Sequence, residues 1–129
     1  MKQALIFFAM FLGIALNAQV ISTDTIVSGS LDKNTVRTLH TDSLSSSFCI
    51  IIPKEVKPHY HANHTEQVVV LSGEADMMLG DQKLHIKAGD VIIIPKGTVH
   101  SVIVTSKDPL KIISVQAPYF DGTDRIMTK

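Results

Sequence analysis

From residue 48 to residue 116 the chain is a succession of short runs rich in β-branched residues, separated by turn signals about every eight to twelve residues. No other feature limits the fold as tightly, because such a rhythm suits a sandwich or barrel and little else. The runs are 48–52, 59–62, 67–71, 75–79, 83–86, 91–94, 99–105 and 110–116. Between them fall the stretch from Pro53 to Pro58 and the breakers Asn63-His64-Thr65, Ser72-Gly73, Gly80-Asp81, Ala88-Gly89-Asp90, Pro95-Lys96-Gly97 and Lys107-Asp108-Pro109. Gly80-Asp81 reads as a tight hairpin, since glycine admits positive φ at no steric cost. No segment after residue 19 holds ten residues of capped helical period. Eight short strands without a helix predict an all-β structure, closed or nearly so, which removes exposed sheet edges.

The ends of the chain follow other rules. Met1-Lys2 gives a positive start, residues 4–16 are an apolar run of 13 broken only by Gly13, and Asn17-Ala18-Gln19 offers a small residue for cleavage. This is the layout of a secretory signal, and the run is short of the roughly 20 residues that span a bilayer core. The expected organisation is a signal peptide over 1–18, an N-terminal arm with one or two edge strands over 19–44, and a barrel over 45–129. The protein would then be exported, periplasmic or secreted, with no stable membrane span after cleavage. Without Lys2, 11 basic residues face 12 acidic ones. A near-neutral chain with no basic cluster and no Trp gives no footing for nucleic acid. Cys49 is the only cysteine, which excludes an internal disulfide. Its setting in Phe48-Cys49-Ile50-Ile51-Ile52 reads as a buried, unreactive thiol.

Histidines carry the chemistry. His59 and His61 stand two apart in a predicted strand, so their side chains share a face and their Cα atoms lie roughly 6–7 Å apart. Glu66 follows after Asn63-His64-Thr65 and can return a carboxylate from the neighbouring strand. His100 opens a further strand after Pro95-Lys96-Gly97. Three imidazoles and a carboxylate suit one divalent first-row metal such as Mn, Fe, Co, Ni, Cu or Zn. A lone His-x-His pair, however, is more often structural than metal-binding. His64 lies in the turn, with a supporting or surface role, and His85 should face solvent.

What makes the group specific is its framing. His59-x-His61, four residues, Glu66, six residues and Gly73 resemble the first motif of the cupin superfamily, G-x5-H-x-H-x3–4-E-x6-G. Gly89, five residues, Pro95-x-Gly97, two residues and His100 resemble the second, G-x5-P-x-G-x2-H-x3-N. Pro53 replaces the first glycine and Val104 the final asparagine, neither a ligand position. The resemblance implies a small double-stranded β-helix (jelly-roll) barrel. It further implies metal ligation by His59, His61, Glu66 and His100, with two open positions in octahedral coordination, and a homodimer.

Alternation from these residues places Val68 and Val70 with Glu66, and Val102 and Val104 with His100, along an apolar pocket. Ile93, Ile50 or Ile51, Met77 or Met78, and Ile113 or Val115 complete the expected lining. Ser114, Gln116 and Tyr60 would join only through a bulge. A metal with open positions in an apolar cup suits a small organic molecule, and no positioned general base is evident. Two functions follow: a metal-dependent enzyme of oxygenase, lyase or isomerase type, or a module that binds a small ligand or metal without turnover.

Overall fold

The structure, a computed structural model, describes residues 19–128; the expected signal peptide lies outside the described residues. Among the described residues, ten strands follow a 3-10 turn at Thr23–Thr25. They are β1 (Thr35–Thr41), β2 (Ser46–Ile52), β3 (Glu55–Tyr60), β4 (Thr65–Ser72), β5 (Glu74–Leu79), β6 (Gln82–Lys87), β7 (Val91–Ile94), β8 (His100–Val104), β9 (Leu110–Ala117) and β10 (Ile126–Met127). They form two five-stranded antiparallel sheets, ordered β1-β2-β9-β4-β7 and β10-β3-β8-β5-β6. Sequence neighbours such as β3 and β4 lie in different sheets, which is the crossing that makes a double-stranded β-helix.

Each sheet turns one face inward, and the sequence alternates to suit. On β9, Leu110, Ile112, Ser114 and Gln116 are buried while Lys111, Ile113 and Val115 are partly exposed. The core joins Ile52, Val68, Val70, Met77, Ile92, Ile94 and Leu110 from both sheets. The arm supplies one strand, β1, on the edge of β2. Ahead of it, the Thr23 and Ile26 carbonyls accept hydrogen bonds from Lys111 Nζ, which anchors the arm to the first sheet. Cys49 is fully buried, and burial pushes its thiol pKa up, as an unreactive side chain requires.

Gly73 is fixed by two demands. Its φ is +82°, and a Cβ there would sit 2.8 Å from Leu110 Cα and Pro109 O. Gly97, also at positive φ, donates its N–H to the His61 carbonyl at 2.6 Å. The turn of the second motif is thereby bonded to the first.

Four expectations about the lining need correction. Ile93 points outward and is 54% exposed, with Ile92 and Ile94 facing in. A run of four apolar residues hides its own alternation, but directly paired residues share a face. Glu66 pairs with Ile94 and Gln67 with Ile93, so an inward Glu66 turns Ile93 out. Ile113 and Val115 also face outward; Ser114 and Gln116 take the inner positions without any bulge at their pairing with Val68 and Glu66. Val70 and Val104 lie on the right face but at the wrong depth. Each is four residues from its ligand-bearing partner, roughly 13 Å along the strand, and packs in the core beneath the cavity.

Candidate metal centre

The centre lies between the two sheets. His59 is the penultimate residue of β3 and His100 begins β8, the two directly paired across the second sheet. Their ring centroids are 4.2 Å apart. His61 stands just beyond the end of β3, its ring 5.2 Å from His59 and 5.4 Å from His100. Glu66 reaches in from β4 of the opposite sheet, with Oε2 3.3 Å from Nε2 of both His61 and His100. All four side chains are buried. Ligand atoms of His59, His61 and His100 lie within 4.8 Å of one another, a spacing that can hold one metal ion.

The Nδ1 contacts decide what the rings offer. His59 Nδ1 donates to Lys57 O at 2.8 Å, His100 Nδ1 to Thr98 O at 3.0 Å, and His61 Nδ1 to Asp124 O at 2.5 Å. A carbonyl can only accept, so each Nδ1 carries the hydrogen and each Nε2 of the neutral ring is left as a lone-pair donor. His61 Nε2 and His100 Nε2 are buried without a hydrogen-bond partner. An orphaned buried polar atom costs about 1–3 kcal/mol, and two side by side, next to a carboxylate, offer donors that a cation could satisfy. The residues present fit a metal.

Electrostatics agree. Burial pushes the His59 pKa down to about 4, leaving a neutral base at pH 7. Burial would also lower His61, but the Glu66 carboxylate beside Nε2 and the hydrogen bond to the Asp124 carbonyl carry it above its ordinary 6.5. Glu66 is raised by burial yet held well below the carboxylate range overall, by His100, His61 and the Ser114 hydroxyl. Ser114 Oγ donates to Glu66 Oε1 at 2.5 Å, leaving Oε2 to face the imidazoles.

A cavity of about 180 Å³ opens from the centre. Phe48, Ile50, Ile52, Val56, Val68 and Val102 give it an apolar wall. Gln116 and Asn34 border it, and Arg125 stands exposed at its edge. Of the expected lining residues, Val68, Val102, Ile50 and Met77 are there, while Ile93, Val70 and Val104 are not. His64, expected in a supporting or surface role, is buried against Asp124 Oδ2 at 2.5 Å and Tyr119 O at 2.8 Å. His85 faces solvent on Asp76, as expected. Sequence reasoning missed Asp124 and Arg125, which come from the tail and belong to neither motif. The one signal in that tail is the aromatic pair Tyr119-Phe120, of which Phe120 packs edge-on against His61 at 5.5 Å and His64 at 5.1 Å.

Comparison with known proteins agrees with this geometry. Residues 47–116 match the Cupin domain family. This protein is a cupin. A protein of Aquifex aeolicus described as uncharacterized is 34% identical over 98 residues, 76% of this cupin and 80% of that chain. The quercetin 2,3-dioxygenase of Bacillus subtilis is 35% identical over 60 residues, covering 46% of this cupin but only 18% of the dioxygenase. Among solved structures, a conserved protein with a double-stranded β-helix domain from Klebsiella pneumoniae superposes with a TM-score of 0.75. It is 26% identical, over 88% of this cupin and 99% of its own chain.

Proposed function

We propose that this cupin holds one divalent transition metal on His59, His61, Glu66 and His100 and acts on a small organic molecule in the adjoining cavity. The observation that carries the proposal is the Nδ1 anchoring of all three histidines, which leaves their Nε2 atoms free around one point beside Glu66. With four protein ligands, a bound metal would offer open positions for a substrate, together with Lewis-acid or redox chemistry. The protein's own residues bind and orient. The apolar wall excludes water from the centre, and Ser114 fixes one oxygen of Glu66.

The cavity sets the substrate class. At about 180 Å³ it is smaller than the roughly 300–1,000 Å³ pockets of drug-sized ligands. A compact molecule fits, with an oxygen pair to chelate the metal, an apolar body, and an acidic group within reach of Arg125. The dioxygenase activity of one relative makes oxygenation the first reaction to test, ahead of lyase and isomerase chemistry. Oxygen uptake by iron-loaded protein on a panel of small enols, diketones and catechols checks this. Uptake abolished by His59→Ala/His100→Ala supports an oxygenase.

A second reading is a module that binds a metal-chelating ligand without turnover. One observation favours it: among the described residues, no titratable side chain borders the cavity except the four proposed ligands and Arg125. Ligand binding without product under any metal would establish that reading. We further propose export after cleavage behind Ala18, and a homodimer. Val91 and Ile93, 56% and 54% exposed on the outer face of the first sheet, suit contact with a second copy. Secretion of the full chain and the solution mass test these two points.

A further inference from the structure

Two of the three histidines are oriented by their own strand neighbourhood: His59 and His100 each use the carbonyl two residues upstream. His61 does not. It lies past the end of β3, where the ladder no longer holds it, and its Nδ1 reaches a carbonyl 63 residues away, that of Asp124. The Asp124 carboxylate holds the same loop from the other side. Oδ1 accepts the Ala62 N–H at 2.9 Å, and Oδ2 accepts the Asn63 N–H at 2.8 Å and His64 Nδ1–H at 2.5 Å. Both His64 ring nitrogens face oxygen acceptors, the second being Tyr119 O, so that ring bridges two points of the tail.

The tail itself is pinned at both ends. Phe120 N donates to Ser46 Oγ at 3.1 Å, and β10 pairs Met127 with His59 and Ile126 with Tyr60. Between these anchors Asp124 is only 9% exposed. All of it lies beyond the matched family residues 47–116.

We infer that Asp124 is a positioning residue of the metal centre, which sets the rotation of His61 through its carbonyl and holds the 62–64 loop in place through its carboxylate. The inference rests on the proposed metal reading only for its consequence, since the orientation of His61 exists in the metal-free chain. Asp124→Asn keeps one acceptor oxygen but turns an amide NH2 toward backbone N–H donors. The grip on the loop is lost, and the His61 ring is freed to change tautomer and rotate.

The test compares wild type with Asp124→Asn by ¹⁵N imidazole NMR of the metal-free protein and by Co(II) competition titration. In wild type, at a pH above the His61 pKa, His61 shows a single Nδ1–H tautomer. In Asp124→Asn it becomes mixed, while His59 and His100 stay as they were. Co(II) affinity falls about 10–100-fold, the range for loss of a group that orients a ligand. In a His61→Ala background the same substitution costs nothing further. An unchanged His61 signal with unchanged affinity would overturn the inference, as would an undiminished loss of affinity in the His61→Ala background. If wild type binds no Co(II), the NMR comparison alone decides the inference: a mixed His61 tautomer in Asp124→Asn supports it and an unchanged one overturns it. Should Asp124→Asn fail to fold, the scalar coupling across the hydrogen bond from His61 ¹⁵Nδ1 to the ¹³C-labelled Asp124 carbonyl of wild type decides: a measurable coupling is expected, and its absence would overturn the inference.

Discussion

Single side chains differ in this protein by what their second nitrogen touches. His40 and His85 are exposed and pair with Asp42 and Asp76, as surface histidines do. His59, His61 and His100 are buried with Nδ1 on a carbonyl, which fixes the tautomer a metal needs. The pH dependence of metal binding follows from His61. Its pKa is raised above the ordinary 6.5 in the metal-free protein, so below that pKa Nε2 takes up a proton that a metal must displace. His59, near 4, offers no such competition at neutral pH. Affinity is therefore highest above the His61 pKa and falls as pH drops through it, by about tenfold per unit for one displaced proton. Zn(II) titrations between pH 5 and 8 check the slope, and a flat profile would count against His61 as a ligand.

Strands and turns bring these residues together. Gly73 closes the first motif with φ at +82° and no room for a Cβ against the Leu110 backbone. Gly73→Ala should cost at least about 2 kcal/mol in chemical denaturation, from left-handed strain and that clash. A loss under 0.5 kcal/mol, the typical range of a neutral surface change, would show that the turn adapts. The strands were largely legible in the sequence because turn residues bracket each apolar run: the run at 110–116 became Leu110–Ala117, and the run at 91–94 became Val91–Ile94. Facing was legible only where polar and apolar residues alternate, as at Glu66, Gln67 and Val68. In the all-apolar β7 the run carries no such signal, and pairing with β4 had to supply it. Ser114 and Gln116 were kept off the inner face by the expectation of an apolar lining, yet Ser114 is there to hold Glu66. Asp124 was illegible because its role depends on a tail that returns across 60 residues to the 61–64 loop, which no local pattern encodes.

Across the whole molecule, the proposed ligands join the two sheets: three histidines come from the region of the second and Glu66 from the first. A metal held by all four is thus a clip between the two halves of the barrel. Binding to the folded state alone adds about 2.7 kcal/mol at a free concentration 100 times Kd, or roughly 10 °C in Tm for a domain of this size. EDTA should reverse that gain without unfolding the protein at 25 °C, because the core of Ile52, Met77, Ile94 and Leu110 is closed without the metal. Melting on chelation at 25 °C would instead make the metal a structural element.

The most direct measurement is the metal content of purified protein, by elemental analysis and by titration with Zn(II), Fe(II), Mn(II), Co(II), Ni(II) and Cu(II), beside His59→Ala/His100→Ala. One equivalent in the wild type, lost in the folded double variant, is the expected result. Wild-type protein that carries no metal and binds none of the six would contradict the proposal that His59, His61, Glu66 and His100 form a metal centre.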